Sequence, residues 1–192
     1  MTANSPPPRF MIDHMLIKLG KYLRILGYEA EWDLRLRTHE LIQRANVENR
    51  IFVTRNRRLP SQYPSPRRLI LLDATAPVEQ LDALVADLHL DRHAGLFTKC
   101  IRCNVVLDKI PDKAAIRDRV HPNVYARFDR FYTCPGCGTV FWKGSHVRNT
   151  CAKLGIEPIP PQSPSVESGP RPQGGPDQEL GCPPSGDSCT TV

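Results

Sequence analysis

The chain has no apolar run approaching the ~20 residues that span a bilayer. Its first eight residues are polar and proline-rich and lack the apolar core of a secretory signal. A helical membrane span is therefore not expected, and a cytoplasmic location is. Acids are also short: 20 Asp and Glu face 26 Lys and Arg, leaving +6. From Glu157 onward five acids face one base, so that segment carries −4 and the body before it +10. A body so basic points to a polyanionic partner, most simply nucleic acid; the same excess would also serve solubility. Residues 157–192 hold nine prolines and five glycines with few apolar side chains, too little burial to offset the entropy of ordering. Residues 156–192 are expected to form a disordered tail, and residues 1–8 a disordered start. No repeat is present beyond one pair of short motifs.

Those motifs are Cys100-Ile-Arg-Cys103 and Cys134-Pro-Gly-Cys137. Each Cys-x-x-Cys can place two thiolates on one side of a tight turn. Two such turns complete a tetrahedral shell of sulfurs, which suits Zn²⁺. Four protein ligands leave no open position, so such a zinc is structural. The 30 residues between the pairs exceed common finger spacing and fit a ribbon with an insert. The competing readings are disulfides or redox dithiols. A redox pair usually opens a helix in a βαβ unit, whereas both pairs here flank strand-like runs. Free or metal-bound thiols suit the cytoplasm. Cys182 and Cys189 lie in the tail and read as incidental.

Periodicity supplies the organisation. Arg9–Asp13, Arg50–Thr54 and Leu69–Asp73 read as short buried strands. Leu16, Leu19, Leu23 and Leu26 recur at helical steps ahead of Gly27, with Lys18 and Lys21 opposite them. Thr38 can cap a second helix, with Leu41, Ile42 and Ala45 facing inward. Pro77 suits the first turn of a third, striped by Leu81, Leu84, Val85 and Leu88. Strands alternating with helices imply a parallel α/β sheet. Beyond His93 the pattern changes: a basic helical insert at Asp112–Val120, then Phe131–Thr133 and Thr139–Trp142 flanking the second Cys-x-x-Cys like a hairpin. Ser145 can cap a closing helix that ends near Gly155. The expected domains are 9–93 (α/β) and 94–155 (zinc ribbon).

In an open parallel sheet, ligands bind at the carboxyl ends of the strands. Asp13, Asn56 and Asp73 stand there. Acids so placed can hold hard cations, but an Asp after a strand is equally a turn former. Arg55, Arg57 and Arg58 beside them can grip phosphates or form an ordinary solvated turn. His146 reads as a helix-start residue rather than a fifth zinc ligand. Phe131, Tyr132, Phe141 and Trp142 read as the ribbon's small core ahead of a base-stacking platform.

The run Phe10-Met-Ile-Asp-His-Met-Leu-Ile-Lys-Leu-Gly-Lys-Tyr-Leu-Arg-Ile-Leu-Gly-Tyr28 resembles the opening of the C-terminal RNase domain of the Mut-seven exonuclease family. The resemblance continues through Ala45-Asn-Val-Glu-Asn-Arg-Ile-Phe-Val-Thr-Arg-Asn56, Phe97-Thr-Lys-Cys-Ile-Arg-Cys-Asn104, Cys134-Pro-Gly-Cys137 and Phe141-Trp-Lys-Gly-Ser-His146, in order, over about residues 9–150. It implies a PIN-like parallel sheet flanked by helices, followed by a zinc ribbon. It also implies a Mg²⁺- or Mn²⁺-dependent ribonuclease with clustered carboxylates. Asp13 matches the family's first acid. Thr38, beside His39 and Glu40, stands where the family carries another. Asn56 replaces the Asp of the family's Thr-Arg-Asp. Asp73 is a further candidate ligand. The resemblance thus implies Asp13, Glu40, Asn56 and Asp73 as the catalytic set and RNA as partner; the basic body and the position of Lys18, Lys21, Arg55, Arg57 and Arg58 near the ligand end of the sheet make these five the expected phosphate contacts. Loss of acids at Thr38 and Asn56 points to weakened hydrolysis. An inactive RNA-binding module is the alternative, and a protein-interaction adaptor a third.

Overall fold

The computed structural model describes residues 6–59 and 65–157. The expected tail, with Cys182 and Cys189, lies outside them beyond Glu157, as do residues 1–5 of the expected disordered start. Ile156 belongs with the folded residues: it is buried, and its amide donates to the Cys151 carbonyl.

Four strands, β1 (Arg9–Ile12), β2 (Glu29–Glu31), β3 (Ile51–Thr54) and β4 (Leu69–Leu71), form one sheet in the order β2-β1-β3-β4. Every neighbouring pair is parallel. A parallel sheet is covered on both faces, so its inner strands are apolar throughout. Phe10, Met11 and Ile12 of β1 and Phe52 and Val53 of β3 are all fully buried. Side chains alternate between faces. Met11 and Phe52 pack with Leu41, Ile42 and Ala45 of α2 (Thr38–Val47). Ile12 faces the other way, beneath Gly20 of α1 (Ile17–Ile25). The four leucines expected along this segment are all buried. Helix α1 also packs on β2 and on α3 (Pro77–Leu88), which has Pro77 in its first turn.

Several local expectations shift. Strands β1 and β4 end before Asp13 and Asp73, which therefore sit in the loops that follow. Thr38 is the first helical residue of α2 and Arg37 is its cap; the Glu40 carboxylate accepts the Arg37 amide at 2.6 Å. Three residues into a helix, a long acid reaches that orphan N–H better than the β-branched hydroxyl. Strand β2 was not expected. Its sequence, Glu-Ala-Glu, has one apolar residue and no strand-like run. It is held by charge: Glu29 pairs with Arg9, and Glu31 pairs with Arg44 and with buried Arg50.

A second sheet, in the order β5-β6-β7, comprises Asp108–Lys109, Phe131–Thr133 and Val140–Trp142. The pattern flanking the second Cys-x-x-Cys is thus two strands of one sheet. Chain contacts divide into two compact units. Among the described residues, the first contains those through 112 together with 131–141, so it holds the four-stranded sheet and both Cys-x-x-Cys motifs. The boundary expected near residue 93 falls inside it. Among the described residues, the second contains 113–130 and 142–157. In that unit the expected helix at Asp112–Val120 is a single 3-10 turn, Lys113–Ile116, followed by α4 (Pro122–Arg127). Proline at the start of α4, capped by His121, sets the helix later than the basic run suggested. Helix α5 (Ser145–Lys153) is capped at Gly144 rather than Ser145.

Candidate metal centre and nucleic-acid site

The strand order decides where a ligand can sit. From β1 the chain moves outward to β2, then crosses to the other side of β1 for β3 and β4. The order reverses between β1 and β3, and the crevice at the carboxyl ends of two such strands is the usual ligand position of an open α/β sheet. Asp13 follows β1, and Thr54, Arg55 and Asn56 end and follow β3, so all four lie at this crevice.

Asp13 is only 4% exposed. Its amide donates to the Val53 carbonyl, extending the β1–β3 ladder, and its Oδ2 accepts the Thr54 hydroxyl at 2.5 Å. Thr54 is fully buried, and its oxygen also accepts the Asn56 amide at 3.0 Å. Asn56 Oδ1 in turn accepts the Arg58 amide, which closes the turn after β3. Arg55 has a buried Nε with no hydrogen-bond partner. Lys18 and Lys21 are exposed along α1, which starts from the Asp13 turn. Thr54 was not among the expected site residues, although a threonine closing a strand opposite an acid was visible in the sequence.

The other expected acids are engaged elsewhere. Glu40 caps α2. Asp73 is exposed and pairs with Arg57 at 2.6 Å. Among the described residues, the cysteine quartet is the one group of three or more His, Cys, Asp or Glu side chains placed to share an ion. Asp13, Glu40 and Asp73 do not form a second.

The quartet itself is tight: the sulfurs of Cys100, Cys103, Cys134 and Cys137 all lie within 4.8 Å of one another. None is in a disulfide. Cys100 Sγ lies 3.9 Å from Cys137 Sγ. A disulfide would need ~2.05 Å, whereas a tetrahedron with metal–sulfur bonds of ~2.3 Å has edges of ~3.8 Å. The donor set and its spacing fit a tetrathiolate ion. Turn geometry makes this possible. In the first turn the Cys103 amide donates to Cys100 Sγ, and the Asn104 amide to the Cys100 carbonyl, with Asn104 in the left-handed region at φ 64°. In the second, the Gly138 amide donates to the Cys134 carbonyl and Gly138 has φ 71°. The thiols are electrostatically uneven. Burial, and then hydrogen bonding to neighbouring sulfurs, pushes Cys103 up to about 12. The Thr139 hydroxyl and amide bring Cys137 down to about 6. His146 is not in the quartet; it packs edge-on against Trp142.

The first turn is anchored to α1. Arg24, 4% exposed, donates from Nη1 to the carbonyls of Ile101 and Arg102 at 2.9 and 2.8 Å and from Nε to Ala30 at 2.7 Å. Its guanidinium lies 3.7 Å from the Trp32 ring centroid. The Ala30 amide donates to Asn104 Oδ1, and the Phe97 amide to the Ile25 carbonyl. Arg24 escaped the sequence reading because a basic residue in a helix normally faces solvent.

No helix among the described residues is long and apolar enough to cross a membrane. No curated protein and no solved structure matches the chain. A family model does: the Mut7-C RNAse domain, over residues 8–154.

Proposed function

Because the chain belongs to the Mut7-C RNAse domain family, we propose that it acts on RNA as a Mg²⁺- or Mn²⁺-dependent ribonuclease of reduced activity, centred on the crevice between β1 and β3. The observation that carries this reading is Asp13: a buried carboxylate at the carboxyl end of a central strand, at the reversal of strand order. The donor set does not fit a pair of ions, because Glu40 and Asp73 are engaged elsewhere and Asn56 brings no charge. It fits one. Mg²⁺ is commonly held through one or two carboxylates, its own waters and the substrate's phosphates. Such an ion, on Asp13, would offset phosphate charge and acidify a water. Arg55, whose Nε lacks a partner, and Lys18 and Lys21 are suited to the flanking phosphates. Arg57 and Arg58 extend this surface, Arg57 after exchanging Asp73 for a phosphate. The cysteine quartet we assign to structural Zn²⁺, its shell closed by four thiolates. Reduced thiols fit a cytoplasmic protein.

The second reading, RNA binding without cleavage, is favoured by Asn56 and by the Asp73–Arg57 pair. One experiment separates the two. Cleavage of a fluorescent single-stranded RNA is followed with Mn²⁺ for wild type, Asp13→Ala and Asn56→Asp. A unit charge ~4 Å from an ion is worth ~4 kcal/mol at an effective dielectric of ~20. Asn56→Asp should therefore raise Mn²⁺ affinity by at least two orders of magnitude and speed cleavage, and Asp13→Ala should abolish it. Rapid wild-type cleavage indifferent to both substitutions refutes the assignment of the site. No cleavage by any variant, with affinity falling at a log–log salt slope near −3.5 for ~5 phosphate contacts, selects the binding module. Absence of RNA affinity at low salt leaves the adaptor.

A further inference from the structure

The quartet binds through two turns that are 30 residues apart in sequence. The second turn sits between two strands of the small sheet, β6 and β7. The first is flanked by the Lys99–Val106 bridge, and Asn104 just after it accepts the Ala30 amide of β2. The peptides between its two ligands are held by a cation from another element. Arg24 projects from the last turn of α1, and one nitrogen, Nη1, donates to both carbonyls between the two ligands, Ile101 and Arg102. These are the peptides whose orientation sets the direction of the Cys100 and Cys103 sulfurs. The remaining groups fix the arginine itself: Nε is held by Ala30 of β2, and the guanidinium plane stacks on Trp32. A buried guanidinium with its donors aimed at backbone oxygens has little freedom to leave. Charge supports the same role. Four thiolates around a divalent ion sum to −2, and a guanidinium, which keeps its charge in proteins, donates to the peptides between two of them.

We propose that Arg24 is a positioning residue for the metal centre: it holds the Cys100–Cys103 turn in ligating geometry and offsets part of the charge of the thiolate shell. The proposal rests on the quartet being a metal site. Outer-shell groups that orient ligands commonly change metal affinity 10–100-fold when removed. Arg24→Met keeps the apolar stem and removes both charge and donors. Arg24→Lys keeps the charge but cannot reach Ala30 and both turn carbonyls at once.

The test uses the full chain loaded with zinc or cobalt. Zinc transfer to a chromogenic chelator should be at least about 10-fold faster for Arg24→Met than for wild type, with Arg24→Lys between them. The cobalt forms report geometry: wild type should show the intense visible bands of tetrahedral tetrathiolate cobalt, and Arg24→Met weaker, shifted ones. A third measurement needs no change at Arg24. In a Trp142→Phe background Trp32 is the sole tryptophan, and removing the metal should shift its emission as Arg24 loses the turn beneath it. Wild type that binds neither ion refutes the metal assignment and the proposal with it. Metal binding with equal transfer rates and identical cobalt spectra in all three proteins overturns the role of Arg24 alone. So does Trp32 emission that is indifferent to metal.

Discussion

Thr54→Val tests the centre of the proposed nucleic-acid site without touching an acid. Valine has nearly the same volume and the same branching, so strand preference and packing around the fully buried side chain are kept, and the hydroxyl alone is lost. Two bonds go with it. The first is the donor to Asp13 Oδ2, a hydrogen bond to a charged group worth about 1.5–3 kcal/mol. Asp13 is 4% exposed, so water cannot readily take the hydroxyl's place. The second is the acceptor for the Asn56 amide at 3.0 Å. Asn56 is partly exposed and water can replace most of that bond. Lower desolvation of valine returns part of the loss. The expected net cost is about 1.5–2.5 kcal/mol. With a urea m-value near ~2 kcal/mol/M, that is a midpoint ~1 M lower. The assay is equilibrium urea unfolding, followed by far-UV circular dichroism, of wild type, Thr54→Val, Asp13→Ala and the double variant. Coupling of at least about 1 kcal/mol in that cycle is expected, because the two side chains share one bond. A loss below about 0.5 kcal/mol, or additivity within that margin, would refute the view that Thr54 holds the Asp13 carboxylate in place.

Three further outcomes follow from particular contacts. Gly27→Ala should cost at least about 3 kcal/mol, because φ is +93° and a Cβ there would lie 2.4 Å from the Gly95 carbonyl oxygen. Gly155→Ala, at φ +61° with open space around it, should cost only the ~1–2 kcal/mol of a left-handed residue. Similar melting shifts for both would remove the Gly27–Gly95 approach as a constraint. Chelating the proposed zinc, or Cys134→Ala, should lower hydrogen-exchange protection in α1 and β2 as well as around the cysteines, since Arg24 and Asn104 tie the first turn to those elements; unchanged protection in α1 and β2 would show the cysteine site to fold independently. The Arg9 hydrogen bond holds the Glu29 carboxyl below its ordinary value, and bonds from Arg44 and Arg50 do the same for Glu48 against the opposing effect of burial. A depressed folded value means that these pairs stabilise fully above the ordinary glutamate value of ~4.3 and less as pH falls below it; Arg9→Gln should flatten the stability profile on that acid side, and an unaltered profile would count against the pair.

The sequence by itself determined the elements that bury an apolar stripe or run. The leucines of α1, the inward residues of α2, the proline-led α3 and the two inner strands are legible because an amphipathic or fully apolar period has one low-energy way to leave water. It also marked the candidate metal site, because each Cys-x-x-Cys restricts two sulfurs to one turn. Local caps were legible only to a residue or so: Thr38 and Ser145 read as caps, but each is the first helical residue and the cap falls one place earlier, at Arg37 and Gly144.

Tertiary structure alone decided the rest. Glu29–Glu31 becomes a strand because Arg9, Arg44 and Arg50 arrive from distant positions to pair its acids. That one short strand puts β1 inside the sheet and places the reversal of order beside Asp13. Three acids expected to share one site were separated the same way. Asp13 is buried under Thr54, Glu40 is spent on a helix cap, and Asp73 is drawn to Arg57. Arg24 reversed its apparent role from solvated base to buried clamp, because the turn between Cys100 and Cys103 folds back over it. A carboxylate or guanidinium is satisfied by whichever partner reaches it, and over separations of tens of residues only the folded chain fixes which one does.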